Sequence, residues 1–122
     1  MNNNITIIDN IKFKPIPTAT SYLVSECGKI YSTFKKRYLK YYFKSKRRKY
    51  YKVDIYDDDK NKRKKFVHRL VALAWINNPH NYPTVDHINR DTHNNSVSNI
   101  RWATLEMQYK NTKRYINKHK LN

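Results

Sequence analysis

Cysteine is nearly absent from this chain. The lone Cys27 cannot close an internal disulfide, and it leaves no thiolate pair for a structural zinc site. Such usage suits a reducing compartment. No apolar run approaches the roughly 18 residues of a membrane span. The opening Met1–Asn10 is polar and lacks a basic-then-apolar export signal. An intracellular location is therefore expected, in the cytoplasm or nucleus of a cell or a virus-infected host, with no membrane partner and no small-molecule cofactor. Acids are scarce as well: 9 against 26 Lys and Arg, for a net charge of +17 and a pI near 10.0. A chain that basic binds a polyanion, because each phosphate contact releases condensed counterions. Glycine occurs once, at Gly28.

At 122 residues the chain is long enough for one domain with a modest core. Met1–Asn4 reads as loose, and Ile5, Ile7, Ile8 and Ile11 as one short edge strand. Pro15 and Pro17 predict an extended connector through Thr20. Tyr22–Ser25 and Ile30–Ser32, joined through Glu26–Lys29 with Gly28 in the turn, predict a hairpin. Between Lys35 and Lys65 lie 15 of the 26 basic residues, interleaved with Tyr38, Tyr41, Tyr42, Phe43, Tyr50, Tyr51 and Tyr56. There Tyr50–Tyr56 predicts a strand, Asp57–Asn61 a turn, and Lys64–Val67 a return strand. The charge cluster, with Arg47 and Arg48 in its middle, is read as a DNA surface. The tyrosines are read as rings that fill the core. Val67–Ile76 is apolar on most faces and stops at Asn77-Asn78-Pro79, which predicts a buried helix with Leu70, Val71, Ala74 and Trp75 inward. His68, on its first turn, is read as a structural histidine in preference to a phosphate contact.

The stretch Val85–Asn111 carries the chemistry. Val85-Asp86-His87 ends a short strand, Ile88–Ser98 is a polar loop, Asn99-Ile100-Arg101-Trp102 is a second strand, and Thr104 opens a helix. The Asp86-His87 pair, the Asn99–Trp102 strand and the Ala103-Thr104 helix start resemble the HNH endonuclease family, in its homing-endonuclease-like branch. His68–Ala72 resembles the family's approach to its site. Tyr22, Val24, Ser25, Gly28, Ile30 and Ser32 resemble a small module found ahead of many HNH nucleases, with Phe13 where that module often has Trp. The fold class implied is α+β: small N-terminal antiparallel strands, a buried central helix, then a ββα-metal motif. The divisions implied are a basic antiparallel β module over 11–65, an HNH core over 66–116 and a basic tail over 117–122.

Hydrolysis of a DNA phosphodiester needs an activated water, neutralised phosphoryl oxygens and help for the departing 3′-oxygen. A neutral imidazole removes a proton from water near pH 7, and Mg²⁺ or Mn²⁺ held by few protein oxygens keeps positions open for phosphate and water. The resemblance makes His87 the general base and Asp86 a metal ligand. It gives Asn99 the task of tying the loop to the hairpin. Neighbours on a regular strand face opposite ways, so the strand must end, bend or bulge at Asp86-His87 for both to serve one phosphate. The family's second metal ligand is an asparagine four residues past the helix-opening threonine, and here that position is Gln108. Glutamine keeps the amide oxygen on a longer arm, and Asn111, one turn on, is the fallback. Leu105, Tyr109, Thr112 and Ile116 are expected to form a core stripe. Asn95 is a candidate brace for the site, and His93 is expected to face solvent. Arg90, Lys110, Lys113 and Arg114 are candidate contacts to double-stranded DNA.

The expected activity is metal-dependent DNA cleavage by a monomer, without a separate helix-turn-helix unit for long-site recognition. Two rivals stand beside it: a DNA-binding protein that has lost catalysis at Gln108, and a basic RNA-binding domain.

Overall fold

A computed structural model describes residues 4–43 and 49–120. The expectations for residues 1–3 and for Arg47 and Arg48 lie outside the described residues. The N-terminal part is a meander of five antiparallel strands: β1 (Thr6–Ile8), β2 (Ile11–Ile16), β3 (Ala19–Ser25), β4 (Ile30–Ser32) and β5 (Arg37–Tyr38). The isoleucines from Ile5 to Ile11 do not form one strand. Asp9 and Asn10 both adopt positive φ, 52° and 63°, and turn the chain so that Ile8 pairs with Ile11. Short polar side chains tolerate that backbone. Nor do Pro15 and Pro17 make a connector. Pro15 sits inside β2 beside a bulge, and Thr18 takes the left-handed position (φ 64°) of the turn into β3.

The predicted hairpin forms as β3 and β4, and its pattern residues each have a task. Ser25 Oγ accepts from the Lys29 amide at 2.9 Å, and Ser32 Oγ accepts from the Lys35 amide at 3.1 Å. Val24 and Ile30 are core residues. Gly28 has φ +94°, and a Cβ there would lie 3.3 Å from Asn95 Cβ and 3.4 Å from a Val67 methyl. The hairpin tip therefore rests directly on the helix and loop that frame the site.

β6 (Lys52–Tyr56) and β7 (Lys62–Phe66) form a second hairpin, whose return strand starts two residues before the predicted one and ends one residue before it. Asp57 Oδ1 accepts from the amides of Asp59 and Asn61, and its other oxygen accepts from Arg63 Nε at 3.0 Å. Val53 and Ile55 point into the core, while every residue of β7 is exposed. Most aromatics of the basic segment do not fill the core. Tyr38, Tyr42, Phe43, Tyr50 and Tyr56 are exposed, and only Tyr41 and Tyr51 pack against its edge.

Helix α1 (Val67–Trp75) is the post on which both halves rest. Leu70, Val71 and Ala74 are buried as expected, together with Val67 and Ala72. Trp75 is half-buried and donates through Nε1 to Val24 O at 2.9 Å. One buried cluster joins Val24 and Ile30 of the meander, Val53 and Ile55 of the hairpin, Leu70 and Val71 of α1, and Ile100 and Trp102 beyond it. The last strands, β8 (Thr84–His87) and β9 (Ile100–Ala103), pair antiparallel, with a 3-10 turn at Val97–Asn99 leading into β9.

The C-terminal segment departs from expectation. It is two short helices, α2 (Leu105–Lys110) and α3 (Lys113–Lys118), each opened by a threonine cap. Thr104 accepts from the Met107 amide and Thr112 from the Tyr115 amide, both at 3.1 Å. Neither helix has a buried residue, and Leu105 is 73% exposed, so the expected stripe is not core.

Candidate active site

The site lies where β8 ends. The ladder continues through Asp86↔Arg101 and His87↔Ile100, and the chain turns only after His87. The required break therefore falls just beyond the pair. Ile88 N donates to Asn99 O at 2.7 Å, and Arg90 N donates back to His87 O at 3.0 Å. Asn99 fastens this turn to the loop: its Oδ1 accepts from the Asn89 amide at 3.0 Å, and its Nδ2 donates to Asn94 O at 2.9 Å. At the strand end Asp86 and His87 border one cavity of about 260 Å³, which Arg90, Gln108 and Asn111 also line.

His87 is buried, and its Nε2 lies 2.7 Å from Asn95 Oδ1. An amide oxygen only accepts, so Nε2 carries the proton and Nδ1 keeps the lone pair. Burial is the main influence that pushes the His87 pKa below its ordinary value, partly opposed by the Asn95 hydrogen bond and by the charges of Asp86 and Asp91. His68 stands 4.7 Å away, ring to ring, and the Tyr50 ring covers both imidazoles. Burial first, then the proximity of His87, pushes the His68 pKa down to about 3. His68 thus packs behind His87, and His87 is the imidazole that borders the cavity.

Asp86 is held from two sides. Arg101, its partner across the ladder, donates Nε to Oδ2 at 3.1 Å, with Nη2 at the same distance. Asn111 donates Nδ2 to that oxygen at 2.9 Å, and the same nitrogen lies 3.0 Å from His87 O and 3.1 Å from Ile88 O. Gln108 reaches the cavity wall, but its amide nitrogen makes one long contact, 3.5 Å to Val85 O. The amide beside the carboxylate is thus that of Asn111, while Gln108 looks across from the next turn. Among the described residues no three His, Cys, Asp or Glu side chains gather as a metal cluster. The oxygen donors at hand are one carboxylate and two amides, a set that suits a hard divalent cation with several open positions.

The candidate DNA contacts are spread out. Arg90 is at the cavity mouth and donates Nη1 to Asn111 Oδ1 at 3.3 Å. Lys110 is engaged with Glu106 at 3.0 Å, and Lys113 and Arg114 are exposed on α3. His93 is exposed yet stacks on Tyr51 at 4.5 Å, which docks the loop on the hairpin region. Sequence reasoning missed Arg101 as the holder of Asp86. Counting the antiparallel register from the loop would have placed the two opposite one another.

No family profile matches the chain. Over 90 residues it is 37% identical to an uncharacterized HNH endonuclease of Acanthamoeba polyphaga mimivirus, covering 74% of this chain and 26% of that protein. A second uncharacterized HNH endonuclease of the same virus is 34% identical over 92 residues, covering 22% of its length. The fold superimposes on the HNH homing endonuclease I-HmuI, solved in a study of its DNA binding and cleavage, with a TM-score of 0.72 and 26% identity. That match covers 90% of this chain and 60% of I-HmuI. The chain belongs to the HNH endonuclease family. Its α+β architecture is that of an HNH endonuclease. It spans about a quarter of the length of the curated HNH proteins it matches.

Proposed function

We propose that this HNH chain is a DNA endonuclease that hydrolyses phosphodiester bonds with His87 as general base. The observation that carries the reading is the His87–Asn95 hydrogen bond beside Asp86 in one cavity. It fixes the tautomer, so that Nδ1 takes a proton from water as the water oxygen bonds to phosphorus and the phosphorus–3′-oxygen bond breaks. The depressed pKa keeps the imidazole unprotonated, and ready to accept, at neutral pH.

Asp86, with an amide oxygen from Asn111 or Gln108, would hold a divalent cation, Mg²⁺ or Mn²⁺. When bound, that ion supplies charge neutralisation at the phosphate and the leaving oxygen. Arg101 keeps the Asp86 carboxylate aimed in the meantime. DNA is the partner that the charge favours. Lys62, Arg63, Lys64 and Lys65 stand exposed along β7, and Lys113, Arg114 and Lys118 along α3.

One observation favours a second reading, a DNA-binding protein without cleavage: Asp86 Oδ2 already receives both Arg101 and Asn111. A supercoiled-plasmid assay separates the two. Nicked or linear product with Mg²⁺, absent with EDTA, is the expected result. Retarded but intact plasmid under both conditions would establish the binding protein instead.

A further inference from the structure

Arg90 closes the turn that ends β8, and its φ is +66°. Arginine gains nothing from that backbone, in which Cβ crowds the following carbonyl, while glycine adopts it freely. Six other non-glycine residues among those described share a positive φ. Asp9, Asn10 and Asn81 tolerate it through their short polar side chains, and Thr18, Lys36 and Lys60 occupy turns elsewhere. Arg90 differs in where its side chain goes. It reaches the mouth of the cavity that Asp86 and His87 border.

The guanidinium has a single hydrogen bond among the described residues, the 3.3 Å contact from Nη1 to Asn111 Oδ1, and no carboxylate partner. Asp86, the nearest acid in the cavity wall, is committed to Arg101. A planar fork with four of its five donors free, tethered by one weak bond beside a general base, has the geometry that recognises phosphate oxygens.

We infer that Arg90 clamps the non-bridging oxygens of the phosphate that sits at Asp86 and His87, and that the strained turn is retained to aim it. The inference rests on the nuclease reading of the same cavity. Asn111 then has two contacts to hold, the carboxylate on one side and the guanidinium on the other.

The test compares wild type with Arg90→Gly, Arg90→Lys and, as control, Lys36→Gly, which removes a like charge and a like backbone strain from the β4–β5 turn. Each is measured for thermal melting, for affinity to a short DNA duplex across a salt series, and for duplex cleavage in Mg²⁺. Arg90→Gly is expected to melt at or above wild type and to lower the slope of log K against log salt by about 1. It is expected to cut about a hundredfold more slowly, with Arg90→Lys between and Lys36→Gly cutting like wild type. Equal cleavage by wild type and Arg90→Gly would overturn the clamp. So would a lower melting temperature with an unchanged salt slope, which marks a merely structural arginine. If wild type itself does not cut, the nuclease reading fails, and the salt slope alone decides whether Arg90 holds a phosphate.

Discussion

At the scale of single residues, burial lowers the pKa of two neighbouring imidazoles, His68 and His87. His68 is 8% exposed, its Nδ1 has no hydrogen-bond partner among the described residues, and it faces His87, Arg69 and Tyr50. Its pKa is lower in the folded chain than in the unfolded one, so below pH 6.5 the unfolded chain binds more protons. Stability is therefore complete above about pH 6.5 and is lost as pH falls toward about 3. One such group costs at most about 1.4 kcal/mol per pH unit. Urea midpoints should drop between pH 7.5 and 5.5, and His68→Phe should flatten that drop; an equal drop in the variant would contradict the assignment. Asn95 acts on the other imidazole. Asn95→Ala removes the acceptor that fixes the tautomer, and cleavage should slow on the order of tenfold or more while duplex affinity holds. These pairings were only partly visible in the chain itself. Asn95 and His68 are polar residues near an Asp-His pair, but nothing in their spacing tells which nitrogen meets which oxygen. Asn111 stood as a fallback for Gln108 because both lie near one helix face. Its place on Asp86 depends on the helix ending there, which periodicity did not reveal.

Between elements, the decisive contact is the hairpin tip at Gly28, set against Asn95 and Val67. Gly28→Ala meets two penalties: a left-handed backbone that alanine resists, and a methyl 3.3 Å from Asn95 Cβ. A loss on the order of 1–3 kcal/mol in chemical denaturation is expected, with slower cleavage because Asn95 shifts under His87. An unchanged denaturation midpoint would show that the tip yields freely. The hairpin and helix α1 were readable because their signals are local: turn chemistry in one, an all-round apolar run in the other. The C-terminal segment misled because Leu105, Tyr109, Thr112 and Ile116 fit one helical stripe. Thr112 is also a good N-cap, however, and with no core above these side chains the capping preference wins and splits the helix. Ile5–Ile11 misled likewise, since the alternation of a strand continued across a two-residue turn at Asp9-Asn10.

Across the whole molecule, charge and core divide the labour. One buried cluster ties the meander, the β6–β7 hairpin and the HNH elements to α1, so the site stands on a common scaffold, and no charged residue belongs to that cluster among the described residues. Composition alone pointed to a polyanion. The proposed nuclease chemistry needed the Asp-His pair and its flanking strands, and the clasp of Arg101 and Asn111 on Asp86 needed the fold. The central claim, that His87 is the base of a phosphodiester-cutting site, is tested most directly by single-turnover cleavage of a DNA duplex in Mg²⁺ by wild type and His87→Ala at saturating protein. A rate lower by on the order of a hundredfold or more in the variant, with duplex affinity preserved, is the predicted result. Equal rates in the two proteins would contradict it.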